Sequence, residues 1–94
     1  ELRLFDLDQN RSKELAKQFE DIVQVKVFDD LSASLKDSDI VTTLTPSRKG
    51  YLHNDMLMPG CLVNAIGADA AGKQELNISV LSSAGIIVYD QADR

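Results

Sequence analysis

Cys61-Leu62-Val63-Asn64-Ala65-Ile66-Gly67-Ala68-Asp69-Ala70-Ala71-Gly72-Lys73-Gln74-Glu75-Leu76 is the stretch on which the fold turns. A short apolar run, Cys61 to Ile66, stops abruptly in a loop of small residues that holds one acidic side chain, Asp69. A run of this length with glycine behind it reads as a strand. In an open α/β sheet, ligands lie in the crevice beyond the carboxyl ends of the strands. Glycines there let a ligand approach the backbone, and a carboxylate there can take part in proton transfer.

Outward from this loop, strand and helix patterns alternate. Leu2 to Leu7 reads as a strand ending at acidic residues, and a helix is expected from about Gln9 to Glu20. Its apolar face is Leu15, Ala16, Phe19 and Ile22, with Asp8 as N-cap. Val23, Val25 and Val27 alternate with Gln24 and Lys26, the pattern of a half-exposed edge strand. A short helix near Ser32 to Asp37 leads to Ile40–Leu44, an interior-type strand. Pro46, Gly50, Pro59 and Gly60 punctuate the next loop, leaving room for one helical turn at Asp55 to Leu57. After the central stretch come a helix from about Ile78 to Ala84, Gly85 as its left-handed terminator, and a last strand, Ile86 to Tyr89. Five strands separated by helices, without hairpin turns, predict a parallel α/β sheet with flanking helices.

The composition narrows the function. Ninety-four residues, 44% hydrophobic, make one small folding domain and no second one. A net charge of −5 argues against nucleic acid or an anionic membrane as partner. No apolar run approaches the eighteen or so residues of a membrane span. A single cysteine, Cys61, permits no internal disulfide, which fits a reducing cytoplasm, and it reads as inert packing. His53, the sole histidine, has no second histidine or cysteine nearby, so no metal site is expected. The chain opens on Glu1 inside a strand-like run and is expected to be a piece of something longer.

Gly67, Gly72 and Lys73 match the G-x-x-x-x-G-K core of a phosphate-cradling loop. That motif continues with Ser or Thr for Mg²⁺, and here Gln74 stands instead. Asp69 would also repel phosphate from inside the loop, so a nucleotide triphosphatase is set aside. A different nucleotide reading fits the first strand. In a dinucleotide-binding fold, an acid at the end of the second strand accepts from the adenosine ribose hydroxyls, and Asp6 occupies that place. A carboxylate there favours NAD over NADP. Arg11, which could receive a 2′-phosphate, keeps NADP open. Otherwise, Asp6 and Asp8 are a solvated strand end and a helix cap. The glycine-rich fingerprint should lie some twenty residues before such an acid. On this reading the chain is a Rossmann-type sheet lacking its first strand and glycine-rich turn. In the usual order 3-2-1-4-5-6 the absent strand is central. The edges of Leu2–Leu7 and Ile40–Leu44 would then be unpaired and apolar, which predicts self-association or pairing with another strand, hence a homo-oligomer.

Phe5-Asp6-Leu7-Asp8, Asp39-Ile40-Val41-Thr42-Thr43-Leu44-Thr45, Met58-Pro59-Gly60, and above all Asn64 to Asp69 with Gly72-Lys73-Gln74-Glu75-Leu76, resemble the ornithine cyclodeaminase/μ-crystallin family. The resemblance runs nearly end to end but covers only the central part of the family's nucleotide-binding domain. It implies an NAD(P)-dependent enzyme transferring hydride at the C–N carbon of a small amino acid or imine: ornithine cyclodeamination, or reduction of a cyclic imine. It places Asp69 beside the reacting carbon as proton shuttle and Asp6 on the ribose. Thr43 and Thr45 would line the nicotinamide half of the groove, and Ala65, Ile66 and Gly67 would pass under the cofactor. The bland readings are a loop Asp bonding its own backbone and threonine hydroxyls satisfied locally. Lys73 and Glu75 belong to the same motif without an obvious duty, and a loop ion pair or helix-start support is expected of them. A non-enzymatic dinucleotide- or ligand-binding homologue is the alternative, against which the presence of Asp69 speaks.

Overall fold

The computed structural model describes residues 1–67, 72–85 and 87. The order of elements is β1 (Leu2–Phe5), α1 (Gln9–Phe19), β2 (Val25–Phe28), α2 (Leu31–Leu35), β3 (Ile40–Thr43), a 3₁₀ turn (Asn54–Met56), β4 (Leu62–Ala65) and α3 (Ile78–Ser83). The chain divides into two compact units, Glu1–Lys36 and Asp37–Arg94.

In the first unit β1 and β2 pair in parallel, with Leu2 opposite Val25 and Phe5 opposite Phe28. A parallel pair needs a crossover, and α1 supplies it. Asp8 caps α1 by accepting the Asn10 N–H at 3.0 Å. Asp30 caps α2 through the Ala33 N–H at 3.2 Å. Arg3 reaches from β1 to the other end of α2, where its guanidinium donates to the carbonyls of Ser34 and Lys36 at 3.4 and 2.5 Å. A cation there complements the negative end of the helix. The expected apolar stripe of α1 is only partly covered. Ser12 is the buried residue of the helix, Ala16 is half-buried, and Leu15, Phe19 and Ile22 are exposed. The two strands of this unit present too narrow a surface to bury a full helical face.

In the second unit β3 and β4 pair in parallel, Ile40 opposite Leu62 and Thr43 opposite Ala65. Each unit thus holds one two-stranded parallel sheet, β1-β2 in the first and β3-β4 in the second. The reading of β3 as an interior strand is corrected: Val41 and Thr43 are buried, but Ile40 and Thr42 face outward. Only one of its faces is covered, so it alternates. A parallel bridge, Leu52 to Leu76, closes the loops, with the Leu52 N–H on the Glu75 carbonyl and the Asn77 N–H on the Leu52 carbonyl. Leu52 is completely buried there, alongside a core of Val41 and Val80. Gly50 fits against this bridge, since a Cβ on it would lie 2.7 Å from the Leu76 carbonyl carbon.

Gly85 does not terminate α3 as expected. The helix ends at Ala84 in an extended conformation (φ −70°, ψ 135°), and the left-handed glycines are Gly60 and Gly72. The predicted last strand, Ile86 to Tyr89, lies outside the described residues apart from Ile87. Among the described residues no helix is long and apolar enough to cross a membrane.

Candidate functional site

The carboxyl ends of β3 and β4 open on a groove of about 250 Å³ lined by Leu44, Thr45, Pro46, Ile66, Gly67 and Lys73. Three of the sequence-predicted residues, Thr45, Ile66 and Gly67, therefore meet on one surface. The chain turns there because Ile66 and Gly67 both donate their N–H to the Thr43 carbonyl at 3.0 Å. Thr43 stands behind the groove, not on it: it is buried, and its hydroxyl is turned inward. Ala65 ends β4 beside Thr43 with its side chain exposed.

Behind this surface sits a group that sequence reasoning missed. Glu75 is 1% exposed, yet it carries a carboxylate. Its Oε1 accepts the Thr43 hydroxyl at 2.8 Å. Its Oε2 accepts the Thr45 backbone N–H and the Thr45 hydroxyl, both at 2.7 Å, and the Tyr51 hydroxyl at 3.2 Å. The Thr45 and Tyr51 hydroxyls are themselves 3.1 Å apart. Burial pushes the Glu75 pKa up, but the donors of Thr45, Thr43 and Tyr51 outweigh it and hold the carboxyl below its usual range. Tyr51 moves the other way. Burial raises its pKa, against the Thr45 hydrogen bond, and the neighbouring Glu75 charge raises it further. The pair is thus a carboxylate and a neutral phenol.

The expectation of an ion pair or helix-start support for Glu75 is corrected. It accepts from hydroxyls and an amide, thirty to thirty-two residues away in sequence in the case of Thr45 and Thr43. One sequence signal pointed there. Thr43-x-Thr45 puts two hydroxyls on the same side of a strand end, and inward hydroxyls require an acceptor. Gly67 completes the arrangement. A Cβ on it would collide with the Thr45 backbone and lie 2.7 Å from Glu75 Oε2. Gly67 and Thr45, both on the groove, thus lie against the carboxylate.

The other predicted acids lie elsewhere. Asp6, in the first unit, is exposed just past β1, where its Oδ1 accepts the Asp8 N–H at 2.8 Å. Arg11 lies 3.7 Å from Asp8. Asp69 falls outside the described residues. Among those that are described, no cluster of three His, Cys, Asp or Glu side chains could hold a metal ion.

Parallel strand pairs, the first joined by a helical crossover and the second with a groove at its carboxyl ends, define an α/β protein of Rossmann type. The comparisons narrow the class. A solved archaeal alanine dehydrogenase dimer with bound NAD superposes with a TM-score of 0.84 at 32% identity, covering 94% of this chain and 27% of its own. The alanine dehydrogenase of Archaeoglobus fulgidus is 33% identical over 96% of this chain and 28% of its own length. The ornithine cyclodeaminase of Agrobacterium tumefaciens is 30% identical over 93% of this chain and 25% of its length. The ketimine reductase mu-crystallin of Mus musculus is 28% identical over 84% and 26%. The sequence profile of the ornithine cyclodeaminase/mu-crystallin family matches residues 1–94, and the chain belongs to that family. It spans about a quarter of the length of these relatives.

Proposed function

We propose that this chain forms the NAD(H)-binding part of an oxidoreductase that transfers hydride at the C–N carbon of a small amino or imino acid. The observation that supports this most is the groove at the carboxyl ends of β3 and β4, in a chain that superposes nearly end to end on an NAD-bound dehydrogenase. The groove suits one end of a dinucleotide. Whole small-molecule sites run to roughly 300–1,000 Å³, and this one, at about 250 Å³, has room for a ring and little more. Gly67 offers that ring a side-chain-free wall, and Thr45, Ile66 and Lys73 flank it. Thr43 serves from behind, through Glu75. Ala65 keeps the end of β4 small beneath the cofactor. Asp6, exposed at the end of its strand, is suited to accept from the adenosine ribose hydroxyls, which favours NAD over NADP.

When bound, NAD(H) supplies the hydride donor or acceptor. The chain supplies orientation and a proton: Asp69 moves it to or from the substrate nitrogen or the attacking water. Both a redox-neutral cyclodeamination, a lyase reaction, and net imine reduction use this assignment. The exposed apolar residues on β3 and β4, Ile40 and Leu62, favour assembly into a homo-oligomer. A cytoplasmic setting fits the half-buried free Cys61.

The test is made on the full-length protein. NADH and NADPH oxidation are measured with a panel of linear and cyclic imines, beside ornithine deamination and alanine oxidation, for the wild type and Asp69→Asn. Loss of turnover by about 10²–10⁴-fold with dinucleotide binding intact is the expected outcome. Full activity in the variant removes Asp69 from the chemistry. Cofactor binding without turnover in the wild type identifies a binding homologue instead.

A further inference from the structure

The most unusual group in the second unit is a buried negative charge with no cation among the donors described around it. Glu75 accepts four hydrogen bonds, none of them from lysine or arginine. A carboxylate that accepts only from neutral donors keeps its net charge, because dipoles orient toward it without cancelling it. That charge lies directly behind Gly67, in the wall of the groove. A side chain at position 67 would collide with the Thr45 backbone and the carboxylate, and glycine lets the wall close up against the charge. In a water-poor interior the field of such a charge acts over several ångströms.

The oxidised nicotinamide ring is a cation and the reduced ring is neutral. We propose that the Glu75 carboxylate, acting through the Gly67 backbone, sets the oxidation-state preference of the groove by favouring the cationic oxidised cofactor. The inference rests on the NAD(H) reading above and goes beyond it, since none of the groove-lining residues is assigned this role. Glu75 is a specificity-determining residue here; it touches neither substrate nor cofactor. Lys73 also lines the groove.

Glu75→Gln is the discriminating variant because it removes the charge and retains the shape. One amide oxygen takes the place of Oε2. The amide nitrogen, in the place of Oε1, donates to the Thr43 oxygen, since a hydroxyl accepts as readily as it donates. Dissociation constants for NAD⁺ and NADH are measured by calorimetry on the full-length protein. The ratio Kd(NAD⁺)/Kd(NADH) should rise by about tenfold in Glu75→Gln. It should stay within about twofold of wild type in Tyr51→Phe, which disturbs the network and leaves the charge in place. A structural role alone would weaken both ligands together. An unchanged ratio in a folded Glu75→Gln protein that binds both dinucleotides overturns the inference and leaves the cofactor reading standing. A wild type that binds neither dinucleotide overturns the cofactor reading itself. Should Glu75→Gln fail to fold, Glu75→Leu combined with Thr43→Val decides. It removes the charge together with the buried hydroxyl that Oε1 satisfies and must raise the ratio in the same direction; a ratio that falls or holds overturns the proposal.

Discussion

The two units of this chain are built in opposite ways. The first unit, Glu1–Lys36, is held by local devices: a cap on each helix, a guanidinium on the end of α2, and surface ion pairs from Glu1 to Arg3 and Lys26. The buried members of its helices are Ser12, Ser34 and Leu35, and Phe19 and Ile22 remain exposed. The second unit has a completely buried leucine and a completely buried carboxylate side by side in sequence-distant loops, joined at the Leu52–Leu76 bridge. Where the first spreads its stability over small exposed contacts, the second concentrates it in one polar cluster. Concentrated networks fail abruptly when one member is lost.

Glu75→Ala should break this comparison most severely. It strands the Thr43 and Thr45 hydroxyls and the Thr45 N–H, each costing about 1–3 kcal/mol when unsatisfied. Chemical denaturation should show a loss of about 3–5 kcal/mol. A loss below about 1 kcal/mol would show that water replaces the carboxylate and that the cluster is no keystone. Gly67→Ala comes next, at about 1–3 kcal/mol, because its methyl group has no space against the Thr45 backbone. In the first unit Asp8→Ala should cost about 1 kcal/mol through the lost cap. Lys26→Ala should cost less than about 0.5 kcal/mol, since its partner Glu1 is a surface group 3.4 Å away. A first-unit substitution that outweighs Glu75→Ala would invert the contrast.

Acidity sharpens the same contrast. The folded pKa of Glu75 lies below its unfolded value, so its contribution is present above the ordinary carboxylate range and is lost as pH falls through the folded value. The folded pKa of Tyr51 lies above its unfolded value, so its contribution is present below the ordinary phenol range and is lost as pH rises through the folded value. Hydrogen exchange across a pH series should therefore show the Thr43–Thr45 amides losing protection at both extremes. The amides of α1 should change less.

This division also explains what could be read from the chain. Asp8 as a cap, α1 and the four described strands follow from local pattern, since caps and periodicities span a few residues. The place of the groove was legible because strand ends and glycines mark it, while Thr45 and Ile66 were named only through the family resemblance. Glu75 was not, because its partners lie in Thr43, Thr45 and Tyr51, and no periodicity links position 75 to position 43. Gly85 misled for a related reason. A glycine after a helix permits a left-handed turn but does not demand one, and Ala84 leaves the helix extended. The α1 face erred in extent: the period was right, and the surface available to cover it was smaller than the stripe.

The Gly67 wall has a consequence for change over generations or in the laboratory. Position 67 is locked to the backbone of Thr45 and to Glu75, so a substitution there requires simultaneous repair at a second strand end. Leu44 and Ile66 border the same groove with 69% and 58% of their surfaces free. Selection for a new ligand has an immovable back wall and two adjustable lips to work with. The accessible route to altered specificity runs through single replacements at Leu44 and Ile66, with the charge behind the wall carried along unchanged.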